Sequence, residues 1–139
     1  MEFSISTDKK RLDLDKIYTF ISRETYWGHG RSEKEFQTTV DNSFCFGMYD
    51  GQGEQIGFAR VVTDYVVFAY LMDVVIFKPY QGQGFGKALM KAIMEHEALE
   101  KIKTFALKTK DAKSLYTKFG FKSLCKSEMW MTKDTFEYQ

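Results

Sequence analysis

Between residues 72 and 90 the chain reads M-D-V-V-I-F-K-P-Y-Q-G-Q-G-F-G-K-A-L-M. The apolar run Val74, Val75, Ile76, Phe77 stops at Lys78-Pro79, and three glycines follow at Gly82, Gly84 and Gly86. Leu89, Met90 and Ile93 then recur at helical spacing. Strand, glycine loop, helix start is the order that gathers backbone N–H groups and the positive end of a helix dipole around a phosphate. Glycine suits such a loop because, lacking Cβ, it takes positive φ and lets a bulky anion come against the backbone. Two common phosphate loops do not fit. The Walker pattern needs a hydroxyl after G-K to hold magnesium, and Gly86-Lys87 is followed by Ala88. With no acidic metal pair either, nucleotide-phosphate hydrolysis is disfavoured. The dinucleotide pattern G-x-G-x-x-G fails because Lys87 stands three residues beyond Gly84.

Other residue types can move protons or hold a substrate. Asp73 lies inside an apolar strand, where a carboxylate needs a partner or a functional reason. A hydrogen bond to a neighbouring loop and a part in catalysis both satisfy that need. His29, between Gly28 and Gly30, has a side chain whose ordinary pKa suits proton transfer, and it also reads as a solvated loop histidine. Tyr116 sits in T-K-D-A-K-S-L-Y-T-K-F-G-F, residues 109–121, and by itself reads as a core aromatic of a helix. Trp27, in the loop that also carries Tyr26, His29 and Arg31, reads by itself as a cover for the core.

The elements that must position these residues follow from periodicity. Phe3 and Ile5 alternate with polar residues as a strand does, while Leu14, Ile17, Tyr18 and Ile21 mark one face of a helix. Ser32-x-x-Glu35 is a capping box opening a second helix with Phe36 and Val40 on its apolar face. Residues 43–49 and 55–63 read as strands joined by the turn Asp50-Gly51-Gln52-Gly53, with a bulge expected near Gly57. A long strand is expected over 66–77, a helix from the glycine loop to about Leu99, and a short strand over 104–107. A helix over 111–118 closed by Gly120 and a last pair of strands, 121–124 and 129–132, complete the chain. The order β-α-α-β-β-β-α-β-α-β-β predicts an α/β fold with a mixed sheet of about seven strands and helices on both faces.

The 139 residues fit one domain, 1–139, and 44% hydrophobic residues suffice for a core. A net charge of +1 speaks against a broad nucleic-acid footprint. Cys45 and Cys125 lack metal-ligand spacing to His29 or His96 and read as reduced, buried thiols. No apolar stretch has signal or membrane-span length, which points to a cytoplasmic protein without a membrane partner.

Gln81-x-x-Gly84-x-Gly86 resembles the Q/R-x-x-G-x-G/A acyl-CoA loop of the GNAT superfamily of N-acetyltransferases. Ala112, Leu115, Tyr116, Lys118, Gly120 and Phe121 match a second family pattern, N-x-x-A-x-x-L-Y-x-K-x-G-F, with Thr109 where the family often has Asn. The likeness covers almost the whole chain and implies a GNAT-like fold and transfer of acetyl from acetyl-CoA to a primary amine of a small molecule or peptide. It implies direct attack in a ternary complex, no metal, and room for a homodimer. The backbone at Val74, Val75 and Ile76 would hold the pantetheine and acyl group. Gln81, Gly82, Gln83, Gly84, Phe85, Gly86 and Lys87 would hold the diphosphate, with Thr109 and Tyr116 also against the cofactor. Tyr116 would be the general acid. Tyr70 stands where several family members place Glu, so the base is open among Asp73, His29 and a water chain. Strand alternation puts Asp73 on the opposite face from Tyr70. The acceptor site would involve Tyr26, Trp27, His29 and Arg31, with Phe68 beside the cleft. The alternative is a CoA-binding or regulatory module of the same fold with weak catalysis.

Overall fold

The computed structural model describes residues 2–26, 28–124 and 126–135. Five strands form one sheet in sequence order: β1 (Phe3–Ser6), β2 (Phe44–Asp50), β3 (Gln55–Thr63), β4 (Phe68–Ile76) and β5 (Thr104–Ala106). The first three ladders are antiparallel, and β4 pairs with β5 in parallel after a helical crossover. The sheet is mixed, as expected, with helices on both faces.

On one face lie α1 (Leu14–Glu24) and α2 (Glu33–Asp41). Asp13 caps α1 by accepting from the Lys16 N–H at 3.2 Å, and both bonds of the Ser32/Glu35 capping box form on α2. These contacts satisfy N–H groups that a helix start leaves without a partner. Ile17, Ile21, Phe36 and Val40 pack against Cys45, Phe58, Val75 and Phe77. On the other face α3 (Phe85–Glu95) sets Leu89, Met90 and Ile93 against Phe46, Ile56, Val61, Ala69 and Leu71. Burial pushes the Cys45 thiol up to about 11, so it packs as a small apolar group. Cys125 lies outside the described residues.

Several boundaries differ from expectation. β4 starts at Phe68 rather than 66, because the Asp64 carboxylate accepts the N–H groups of Val66, Val67 and Phe68 and extends the turn. α3 stops at Glu95 rather than near Leu99. His96 leaves the helix with its ring edge-on to Phe44 and Phe46, and its Nδ1 accepts the Ala98 N–H at 3.1 Å. α4 occupies Lys113–Thr117, inside the expected span, and Gly120 follows at φ +91°. Among the described residues the expected strands over 121–124 and 129–132 are absent, so the sheet has five strands and not about seven. Phe121 instead lays its ring edge-on against Phe105 (5.8 Å) and Tyr116 (6.2 Å), and a short 3₁₀ turn occupies Ser127–Met129.

The feature that most shapes the site is a bulge in β4. Phe58 pairs with Val75 and Arg60 with Met72, so Asp73 and Val74 together oppose Ala59. Asp73 has φ +54°, a left-handed conformation that costs a non-glycine residue about 1–2 kcal/mol. The bulge reverses the pleat. Ala69 and Leu71 face the α3 core, whereas beyond it Val75 faces the α1–α2 core and Val74 and Ile76 turn toward α3.

Gly28 is held by crowding. A Cβ there would stand 2.7 Å from the Ile21 carbonyl oxygen and 2.8 Å from Thr25 Oγ1, in contact also with Ile21 Cγ2. We expect Gly28→Ala to lower unfolding free energy by about 1–3 kcal/mol, the usual cost of overpacking. Denaturant titration checks this, and an unchanged midpoint would show that the 25–30 stretch gives way freely.

Candidate active site

The β4–β5 ladder ends at Tyr70 paired with Ala106. From there β4 continues to Ile76, while the chain after Ala106 leaves the sheet and turns into α4. The two diverging segments leave the β4 edge beyond Tyr70 without a strand neighbour on that side. A cavity of about 730 Å³ opens here, between β4 residues 70–74, the stretch carrying Tyr26, His29 and Arg31, and residues 107–112 with Tyr116.

One wall is fixed by charge. The Asp73 side chain is 0% exposed, and its oxygens accept from Arg31 Nη1 (2.7 Å), Arg31 Nη2 (3.0 Å) and Arg60 Nε (2.6 Å). Arg60, also buried, donates further to Ser43 Oγ at 3.1 Å and to Met72 Sδ. The Arg31 carbonyl accepts the Tyr18 hydroxyl at 2.8 Å. Asp73 and Tyr70 line the same cavity, contrary to the opposite faces expected from simple alternation. The bulge supplies the reason, because it puts Met72 and Asp73 consecutively on the side of Arg60.

Tyr116 closes the far side, half-buried among Leu107, Thr109 and Phe121. Burial, then the Asp111 carboxylate, then Tyr26 hold its phenol above the ordinary value near 10. Tyr26 bridges the mouth. Its hydroxyl accepts the Lys110 N–H at 3.1 Å, and the Lys110 ammonium lies 5.2 Å from its ring centre. Thr109 Oγ1 accepts the Ala112 N–H at 3.0 Å and so helps start α4.

The glycine loop adjoins this cavity without lining it. Gly82 and Gly84 have φ +76° and +86°, and a Cβ on either would meet nothing within 4 Å, so conformation and not crowding selects glycine. Gly84 is the N-cap of α3 with no side-chain cap bond, which leaves first-turn N–H groups facing outward. Gln81 Nε2 donates to the Ile76 carbonyl at 2.8 Å and fastens the loop to the end of β4. Gln83 Nε2 donates to the Pro79 carbonyl. Gly86 faces the end of β4 and α4, its hypothetical Cβ lying 3.9 Å from Ile76 Cγ1 and 4.0 Å from Leu115 Cδ2. Phe85 is buried in the core and Lys87 is exposed.

Of the residues singled out from the sequence, Tyr26, His29, Arg31, Asp73, Val74, Thr109 and Tyr116 share the cavity, with His29 on its exposed rim. The Val75 side chain points into the α1–α2 core, so only its backbone can serve the cleft. Phe68 lies in a second cavity of about 620 Å³ beyond β5, 6.2 Å from the Trp130 ring. Trp27 lies outside the described residues. Arg60 escaped the sequence reading. Its signal was a lone cation in the apolar run F-A-R-V-V, matching a lone anion in L-M-D-V-V on the next strand. Among the described residues no group of His, Cys, Asp and Glu is arranged to hold a metal, and no helix is long and apolar enough to cross a membrane.

Comparison with known proteins bears on this arrangement. A crystal structure described as "a putative acetyltransferase belonging to the gnat family", from Xanthomonas campestris pv. campestris, is 36% identical. It superposes with a TM-score of 0.93 over 97% of this chain and 94% of that one. The Gibberella zeae protein "Putative acetyltransferase FG08082" is 30% identical over 112 residues, 68% of this chain and 63% of that protein. "Uncharacterized N-acetyltransferase ycf52" of Gracilaria tenuistipitata var. liui is 35% identical over 99 residues, 68% of this chain and 52% of that protein. The chain thus spans about half to two thirds of the length of these curated relatives. Glucosamine-6-phosphate N-acetyltransferase from Arabidopsis thaliana shares the fold at 15% identity, with a TM-score of 0.63 over 98% of this chain and 100% of that one. The family model described as "Acetyltransferase (GNAT) domain" matches residues 41–123, a span that takes in the β4 bulge, the glycine loop and Tyr116. With that span exceeding half of the chain, the protein belongs to the GNAT family of acetyltransferases.

Proposed function

We propose that the chain is an N-acetyltransferase that uses acetyl-CoA to acetylate a primary amine of a small molecule or peptide by direct attack in a ternary complex. The observation that carries this reading is the divergence of β4 from β5, which puts an unpartnered strand edge, a half-buried phenol and the Tyr26–Arg31 stretch around one cavity. The residues present fit the co-substrate. Gly82 and Gly84 leave the space beside their backbone open, and the uncapped start of α3 faces an anion with N–H groups and dipole.

Acetyl-CoA supplies the thioester, whose carbonyl carbon gains the bond to nitrogen and loses the bond to sulfur. The chain's own groups divide the remaining work. Backbone N–H groups at 74–76 orient the acyl arm and polarise the carbonyl oxygen. Tyr116 donates its proton to the departing sulfur, and its raised pKa keeps that proton in place across the neutral range. The amine must lose a proton before attack. Asp73 is poorly placed to take it, because guanidinium N–H groups already hold both its oxygens. Proton removal is therefore assigned to His29 on the rim or to water reaching past it.

Thiol release from acetyl-CoA measured across a library of amines tests the activity. Binding of acetyl-CoA without release for any amine would instead favour a CoA-binding module. Tyr116→Phe keeps the ring packed against Phe121 and removes the donor. The expected result is a fall in kcat of about 10²–10⁴-fold with acetyl-CoA affinity nearly unchanged. In the wild type, activity should rise with pH as the amine deprotonates. No alkaline fall should arise from Tyr116 below about pH 10, since a phenol is the protonated donor below its pKa and this one is raised. A fall near neutral pH that vanishes in Tyr116→Phe would contradict the assignment.

Gly86 offers a separate test of the loop. The surrounding space admits a Cβ at ordinary contact distance, and alanine is the better helix former. Gly86→Ala should therefore retain the fold, and Gly86→Val, with its fold checked by melting temperature, adds the branch that would obstruct the approach of a diphosphate. We expect at least a tenfold loss of acetyl-CoA affinity, about 1.4 kcal/mol, by calorimetric titration. Unchanged affinity would place the diphosphate elsewhere.

A further inference from the structure

We infer that Asp73 is a positioning residue that sets the distance between the acceptor wall and the β4 edge through Arg31; this inference rests on the acetyl-transfer reading above. The conformation of Asp73 poses the question. Among the described residues only Tyr65 and Asp73 take positive φ without being glycine, and Tyr65 belongs to the turn after Asp64, whereas Asp73 stands inside a strand. Glycine would occupy that bulge position with less strain. What glycine lacks is the carboxylate, and here the carboxylate is wholly buried and joined to two elements at once.

The two arginines have separable tasks. Arg60 sits on β3, directly across from Met72, and its bond to Asp73 stays within the sheet at the bulge. Arg31 follows Gly30 and immediately precedes the cap of α2, and its two-pronged bond crosses from that stretch to β4. A bidentate guanidinium–carboxylate pair fixes orientation as well as distance. The stretch bearing Tyr26 and His29 is thereby referenced to the strand whose edge would carry the acyl donor. Loss of the Arg31 bond leaves Asp73 paired with Arg60 and the bulge intact, while the acceptor wall loses its tie to the donor strand.

Arg31→Met isolates this tie, because the buried carboxylate keeps its Arg60 partner. The expected result is at least a tenfold rise in amine KM, with kcat changed less and acetyl-CoA affinity within about threefold. Amide hydrogen exchange over residues 25–32 should quicken in the same variant, and Arg31→Lys should restore part of the KM. Asp73→Asn, which retains tolerance of left-handed φ, should give the same KM-weighted loss and leave the pH–rate profile unchanged in shape. A fall in kcat of about a hundredfold at constant KM, with loss of a pH inflection, would make Asp73 the general base and overturn the inference. Unaltered exchange and KM in Arg31→Met would overturn it as well. If the wild type shows no turnover with any amine, the acetyl-transfer reading fails, and the exchange measurement alone still decides the tie.

Discussion

A buried carboxylate held by two guanidinium groups is the constraint on which the cleft depends. Removing the carboxylate would leave the buried Arg60 guanidinium without an anion, a loss that typically costs about 3–5 kcal/mol. That loss exceeds the cost of the backbone conformation of Asp73 alone, about 1–2 kcal/mol. That conformation inserts the extra residue into β4, and the extra residue reverses which side chains face which core. Both cores are thus packed against the same strand, Leu71 serving one and Val75 the other. An ordinary alternating β4 would send Val75 toward α3 and turn Asp73 away from Arg60.

The divergence of β4 and β5 has a different physical origin. β5 is three residues long and makes a parallel ladder that runs out at Tyr70, after which Leu107 and its successors bend away toward α4. Backbone donors and acceptors left along a strand edge are obligatory hydrogen-bonding groups, satisfied by water or by a ligand. Such an edge offers main-chain groups and asks little of the side chains at 74–76. Val75 and Ile76 are accordingly free to serve the two cores, and the polar side chains of the cleft stand on its walls, Tyr116 and Arg31 among them.

Much of this was legible in the sequence wherever short-range rules govern. The capping box at Ser32, the turn at Asp50 to Gly53 and the glycine loop are local chemistry, and each forms where its residues require it. The family likeness carried by Gln81, Gly84, Gly86 and the residues around Tyr116 agrees with the family match. What was not legible depends on contacts far apart in the chain. A period-two reading of β4 cannot reveal a bulge whose carboxylate meets Arg31, forty-two residues away. The stop of α3 at His96 comes from rings on β2, and the two C-terminal strand patterns yield because Phe121 is drawn onto Phe105 and Tyr116. The burial and partners of Asp73 and Tyr116 were the least legible of all, because no spacing records them.

The cavity keeps its ionic cluster apart from its phenol. On the Arg31 side, the anion and its cations are already satisfied by one another, which fixes that wall in place. On the donor side stands a neutral phenol whose pKa is raised by burial, by Asp111 and by Tyr26. A phenol so placed resists ionisation when solvent is neutral. Had the carboxylate at Asp73 been unpaired, its charge would have disfavoured any anion entering the cavity. Two guanidinium groups against one carboxylate remove that penalty while keeping the bulge, which is a physical reason for an ionic cluster, and not an apolar one, at the centre of this sheet.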